Sequence, residues 1–191
     1  MISVINRLDV KGREEFRQWL LFNADSEPEC WVCVKKGKPT DEDTLWYIDA
    51  VEEALCFGWI DSTFKIIDGK SMQRFTPRRK NSFWTELNKE RARRLEKLGL
   101  MTESGRNVLP KMGPRSFVID EDLKNRLKKA RVWSKFKRFP ALYQRVRAQN
   151  VSGFKNRNMD EYERAVSRLI EMTRKEKMYG SWNDYGRLID Y

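Results

Sequence analysis

There is no histidine anywhere in the 191 residues. That removes the commonest general base, the commonest metal ligand, and every Ser-His or Cys-His nucleophile pair. Cysteine is scarce at three, an odd number that fits a reducing compartment better than a disulfide framework. The Cys30-x-x-Cys33 spacing has no second ligand pair, and on a strand residues three apart point to opposite faces, so both thiols read as structural and no metal site is expected. The ten glycines form neither standard phosphate-binding loop, and no cofactor is expected. No apolar run is long enough to cross a membrane, and the opening MISVINRLDVKGREEF lacks the pattern of an export signal. The expectation is a cytoplasmic protein without a membrane span.

What is present is charge, unevenly placed. Residues 1–70 hold nine Lys and Arg against fourteen Asp and Glu, a balance of −5 that leaves +16 for the rest of a chain whose total is +11. Such a basic portion points to a polyanionic partner or to a heavily solvated helical surface. The apolar pattern predicts a helix over 13–24 carrying Phe16, Trp19 and Leu20, with Asp9 as its cap, and a strand over 30–36. A second helix from Leu45 puts Tyr47, Ala50, Val51, Ala54 and Leu55 on one stripe, with Asp49, Glu52 and Glu53 off it and Gly58 as its stop. Strands at 59–67 and 72–76 join through Asp68-Gly69. A basic helix over 81–98 ends at Gly99. Ser104-Gly105 and Gly113-Pro114 read as breaks, and helices follow over 120–131, 140–149 and from a cap at Asn158. The tail over 180–191 is aromatic enough to dock.

The predicted fold class is α+β, a three-stranded antiparallel sheet (29–36, 59–67, 71–77) with packed helices. Residues 1–110 form its core, and 111–191 form a helical region packed on that core. Oligomeric state is left open.

The densest run of informative residues is Glu52 to Asp61 (EEALCFGWID), followed by Arg74 to Arg79 (RFTPRR), Ser82-x-Trp84 and Asn88 to Arg91 (NKER). These motifs resemble the YdeI/OmpD-associated, bacteriocin-protection family. The resemblance is close over 45–105 and departs over Asp160 to Lys175. It implies a role in protection against antimicrobial peptides or bacteriocins, and a porin partner.

Taken by themselves, the same residues suggest a pocket for an anionic or planar ligand lined by Trp59, Asp61, Arg74, Arg78, Arg79, Trp84, Asn88 and Arg91. Asp61 paired across the hairpin with Arg74 would orient the guanidinium. Trp84, Asn88 and Arg91 would share the apolar stripe of the basic helix. An internal polar network locking hairpin to helix accounts for the same pattern. Three functional classes follow: a non-catalytic module binding a small ligand or a protein; a nucleic-acid binder using the basic segment 74–94; and an enzyme with Asp61 as base. The first is favoured, and no catalytic residue is assigned.

Overall fold

The computed structural model describes residues 6–113 and 116–191. The chain divides into two units, one comprising residues up to Phe83 with Arg91–Pro110, the other Trp84–Glu90 with Lys111–Tyr191. The class is α+β, but the sheet is four-stranded and mixed rather than three-stranded and antiparallel. Its strands β1 (Arg7–Leu8), β2 (Cys30–Cys33), β3 (Trp59–Ile67) and β4 (Lys70–Pro77) lie in the order β1-β2-β4-β3. β1 pairs in parallel with β2, Arg7 opposite Trp31. A two-residue strand is too short to show alternation, which is why it left no pattern to read.

In the first unit, α1 (Arg13–Asn23) and α2 (Tyr47–Cys56) pack on one face of the sheet. Helix α1 starts at Gly12, not at Asp9; Gly12 is its extended N-cap, and a Cβ there would lie 2.4 Å from the Glu42 carbonyl oxygen. Phe16 and Leu20, one turn apart, are both fully buried, and the Phe16 ring meets Phe75 of β4 at 5.4 Å. The β3–β4 hairpin turns through Asp68 (φ 48°) and Gly69 (φ 73°), the two left-handed residues that such a tight turn requires. α2 departs from the expected pattern. Asp49, Glu52 and Glu53 are buried along with its apolar residues, because arginines rather than water cover them. The unit closes with Arg91–Lys97 of α3 (Glu86–Lys97) and with α4 (Glu103–Asn107).

α3 begins five residues later than the periodicity suggested. Thr85 sets the start, its Oγ1 accepting the Asn88 N–H at 3.1 Å as an N-cap does. Trp84 therefore precedes the helix and does not share a stripe with Asn88 and Arg91.

The second unit is helical: α5 (Glu121–Lys129), α6 (Trp133–Phe136), α7 (Ala141–Ser152) and α8 (Met159–Arg174). Asp120 caps α5 by accepting the Leu123 N–H, and Asn158 caps α8 by accepting the Glu161 N–H. Leu123, Leu127, Phe136, Tyr143, Tyr162 and Leu169 are almost fully buried in one core. Trp182 and Leu188 of the tail dock into it. Among the described residues no helix is long and apolar enough to cross a membrane.

A cleft at Trp59 and Arg78

Gly58 ends α2 in the left-handed conformation (φ 76°), and a Cβ there would also approach the Ser104 carbonyl oxygen to 2.9 Å. The turn aims Trp59 into the core at the start of β3. Its indole N–H donates to the Ala24 carbonyl at 3.1 Å, and Trp19 meets its ring edge-on at 5.9 Å. At the far end of the hairpin Pro77 terminates β4, and the backbone N–H of Arg78 donates to the Gly58 carbonyl at 2.9 Å. Trp59 and Arg78 thus meet at the wall of one cleft, of ≈ 370 Å³, whose other sides are the Ala24–Pro28 turn, Ser104 and Val108.

Arg78 is only 5% exposed. Its Nη1 donates to Ser82 Oγ and to the Phe83 carbonyl, both at 3.1 Å. Burial pushes its pKa down to about 10 against the opposing pull of the Asp61 carboxylate, because a cation withdrawn from water loses solvation. The cleft is mixed: Phe57, Pro77 and Val108 give it apolar wall, while Asp25 accepts from Ser104 Oγ at 3.2 Å and Glu27 accepts from the Asn6 amide.

The other expected pocket residues are dispersed. Asp61 stands opposite Phe75, and Arg74 stands opposite Trp31, so Asp61 and Arg74 lie on opposite faces of the sheet and do not pair. Asp61 accepts from Tyr47 of α2 at 2.7 Å. Arg74 is held by Glu29, with Nε at 2.8 Å. Arg79 is exposed and Arg91 is buried in the first unit, whereas Trp84 and Asn88 belong to the second. Much of the basic segment 74–94 is engaged internally: besides Arg74 and Arg78, Lys89 pairs with Glu86 at 2.7 Å and Arg94 with Glu52 at 2.9 Å.

Sequence reasoning missed a buried charge network on α2. Arg13 reaches Asp49, Glu52 and Glu53 at 3.3, 2.9 and 2.5 Å. Arg17 pairs with Glu53 at 2.6 Å, and Arg94 with Glu52. The signal was the adjacent Glu52-Glu53 inside an otherwise apolar helix, together with arginines at 13 and 17 on one face of α1.

Residues 8–108 match the model of a family described as Domain of unknown function (DUF8412). The chain belongs to this family. The match takes in just over half of the chain, including the hairpin, Trp59 and Arg78, and stops before α5. No curated protein matches the chain, and no solved structure does. The resemblance to the YdeI/OmpD-associated family is overturned: the model that fits these motifs is DUF8412, and no YdeI/OmpD-associated model matches. The roles which that resemblance implied, bacteriocin protection and a porin partner, are withdrawn with it. The physical reason lies in the motif itself. Glu52-Glu53 answers to buried arginines, Gly58 to a left-handed helix stop and Pro77 to a strand end, so unrelated helix–hairpin units can converge on similar strings.

The cysteines separate by environment. Burial, with Glu29 adding to it, pushes the Cys30 thiol up; burial, with Glu53 adding to it, takes Cys56 up to about 12; Cys33 is exposed. A thiol reagent near neutral pH is expected to label Cys33 alone in the folded protein and all three after denaturation, since the thiolate is the reactive form. Raising the pH to about 9 leaves that count at one, because both buried thiols still hold their protons. Two fast-reacting thiols in the native protein would contradict the packing of β2 or α2. Among the described residues no group of three His, Cys, Asp or Glu is placed to hold a metal ion.

Proposed function

We propose that the protein is a non-catalytic binding module whose first unit takes a small anion with a planar apolar body in the cleft at Trp59 and Arg78. The observation that carries this reading is a buried guanidinium at the wall of an open cleft, beside an indole. The cleft volume, ≈ 370 Å³, falls within the range of about 300–1,000 Å³ typical of small-ligand sites. A bound carboxylate or phosphate would offset the solvation that burial takes from the Arg78 guanidinium, and a planar body would lie along the apolar wall of Trp59, Phe57 and Pro77.

The competing reading, an internal polar lock, makes a different prediction for ligand binding. Arg78→Met takes a buried donor from Ser82 Oγ and from the Phe83 carbonyl, so it is expected to cost about 1–3 kcal/mol of stability on either reading. The same variant, still folded, is expected to lose binding of benzoate, measured by ligand-observed NMR with inorganic phosphate as the non-planar comparison. Benzoate binding absent from the parent, or unchanged in the folded variant, would make Arg78 a structural lock and retire the ligand reading.

A further inference from the structure

The longest acid-free stretch of the chain lies in the second unit: residues 123–159 contain twelve Lys and Arg and no Asp or Glu. Some of these cations are engaged. Arg145 pairs with Glu86 and Glu90, Lys155 with Asp120, and Arg126 with Asp122 and Glu163. Arg147 is buried and donates to the Tyr179 carbonyl at 2.6 Å. Those at the end of α5 and just beyond it differ. Lys128, Lys129 and Arg131 are exposed and make no ion pair among the described residues.

Three helix ends converge there. Asp122, Arg126 and Lys129 of α5, with Ala130 just past it, border a groove whose other wall is Val166, Ser167 and Ile170 of α8. Lys135 of α6 and Arg138 just past it both reach Glu176, beyond the end of α8, at 2.9 and 2.8 Å, and Lys135 Nζ donates to the Arg174 carbonyl at 3.1 Å. Exposed Lys137, Arg174, Lys175 and Lys177 complete the surface, Lys175 being paired with Glu171 at 2.5 Å; Asp122, Glu163, Glu171 and Glu176 are among its acids, each paired with a cation.

Arg131 sits at φ 59°, in the position after a helix end that closes the turn: its N–H donates to the Lys128 carbonyl, and the Val132 N–H to that of Leu127. Glycine takes this left-handed position without strain, and a long side chain does not. Glu176, just beyond α8, takes the same conformation (φ 54°) and closes the same kind of turn, so the geometry belongs to the helix end and the charge of Arg131 is separable from it.

We infer that the surface formed by the ends of α5, α6 and α8 docks the phosphodiester backbone of a nucleic acid. Its cations stand on rigid helix ends and present point charges and guanidinium forks to successive phosphates. A bilayer fits it less well: Leu123, Leu127, Val132 and Phe136 are buried in the core, and the apolar side chains left partly exposed here, Trp133 and Ile170, are outnumbered by cations. Nothing in the surface reads bases, so binding is indifferent to sequence.

The test is fluorescence anisotropy of the full chain with labelled duplex DNA and single-stranded RNA of about 20 nucleotides, between about 50 and about 200 mM salt. Vesicles rich in anionic phospholipid form the comparison arm. The expected result is duplex binding whose logarithmic salt slope falls by about 0.9 in Arg131→Gly, an eightfold loss at about 0.1 M salt, and by about 2.7 when Lys128→Ser and Lys129→Ser are added. Arg131→Gly is also expected to melt no lower than the parent, because it relieves the left-handed backbone, so lost affinity is not lost folding. An unchanged slope in the triple variant, no oligonucleotide binding at the lowest salt, or vesicle binding as tight as duplex binding overturns the inference.

Discussion

Glu52→Gln is expected to be among the most damaging single substitutions in the first unit, lowering its stability by about 3–5 kcal/mol. Glu52 is fully buried, and its two oxygens receive Arg13 and Arg94 at 2.9 Å each. An amide of the same shape keeps the volume but removes the charge, so one side of the network is left with more buried positive charge than negative. The desolvation of those guanidinium groups is then no longer offset. For a unit of this size the loss corresponds to a fall in melting temperature of roughly 10 °C or more. Glu14→Gln on exposed α1 is the control and is expected to change stability by no more than about 0.5 kcal/mol. If both variants melt alike, the network contributes nothing net and α2 is held by its apolar contacts alone.

The second large effect is expected from Gly105→Ala. α4 lies so close to the end of α2 that a Cβ at Gly105 would sit 2.2 Å from the Cys56 carbonyl oxygen and 3.0 Å from that of Leu55. Both neighbours are backbone, which cannot rotate aside as a side chain can. The same Cys56 carbonyl, at the end of α2, accepts from Thr102 Oγ1 at 2.6 Å and from the Thr102 N–H at 3.0 Å, so displacing α4 also strips partners from a helix terminus. The expected cost is about 3 kcal/mol, near the top of the usual range for overpacking. Gly69→Ala separates steric from conformational cost: at φ 73° with no atom within 4 Å, it is expected to lose only the left-handed penalty of about 1–2 kcal/mol. Equal losses in a denaturant titration would show that α4 can move away freely.

These two sites mark where local patterns stop being informative. Ser104-Gly105 reads as a break because glycine disfavours helix; in the structure Gly105 lies inside α4 and is needed for a close approach between segments almost fifty residues apart. Asp49, Glu52 and Glu53 read as a solvated face because acids seldom sit in cores; the arginines that bury them come from α1 and α3. Neither partner can be inferred from the helix that carries the acids.

The candidate cleft shows the same boundary. Trp59 and Arg78 stand out in the sequence as an aromatic and a cation flanking a hairpin. The register, with Asp61 opposite Phe75 and Arg74 opposite Trp31, is what removes Arg74 from the cleft face. Offsetting a strand pair by one residue exchanges its faces, and periodicity alone does not set that offset.

The sequence by itself determined the features whose physics is local. These are the α+β class, the hairpin turning on Asp68-Gly69, the left-handed stops at Gly58 and Gly99, the cap at Asn158, and the acid-free run over 123–159. Each is written within a few neighbouring residues, where dihedral preference, side-chain capping or charge decides the outcome. Only the tertiary structure decided that β1 adds a parallel edge to the sheet, that three acids of α2 are buried against arginines, that Trp59 and Arg78 meet in one cleft, and that the ends of α5, α6 and α8 gather their cations. Those outcomes depend on contacts between residues far apart in the chain, and such contacts are selected by the packing of whole elements rather than by any one stretch of sequence.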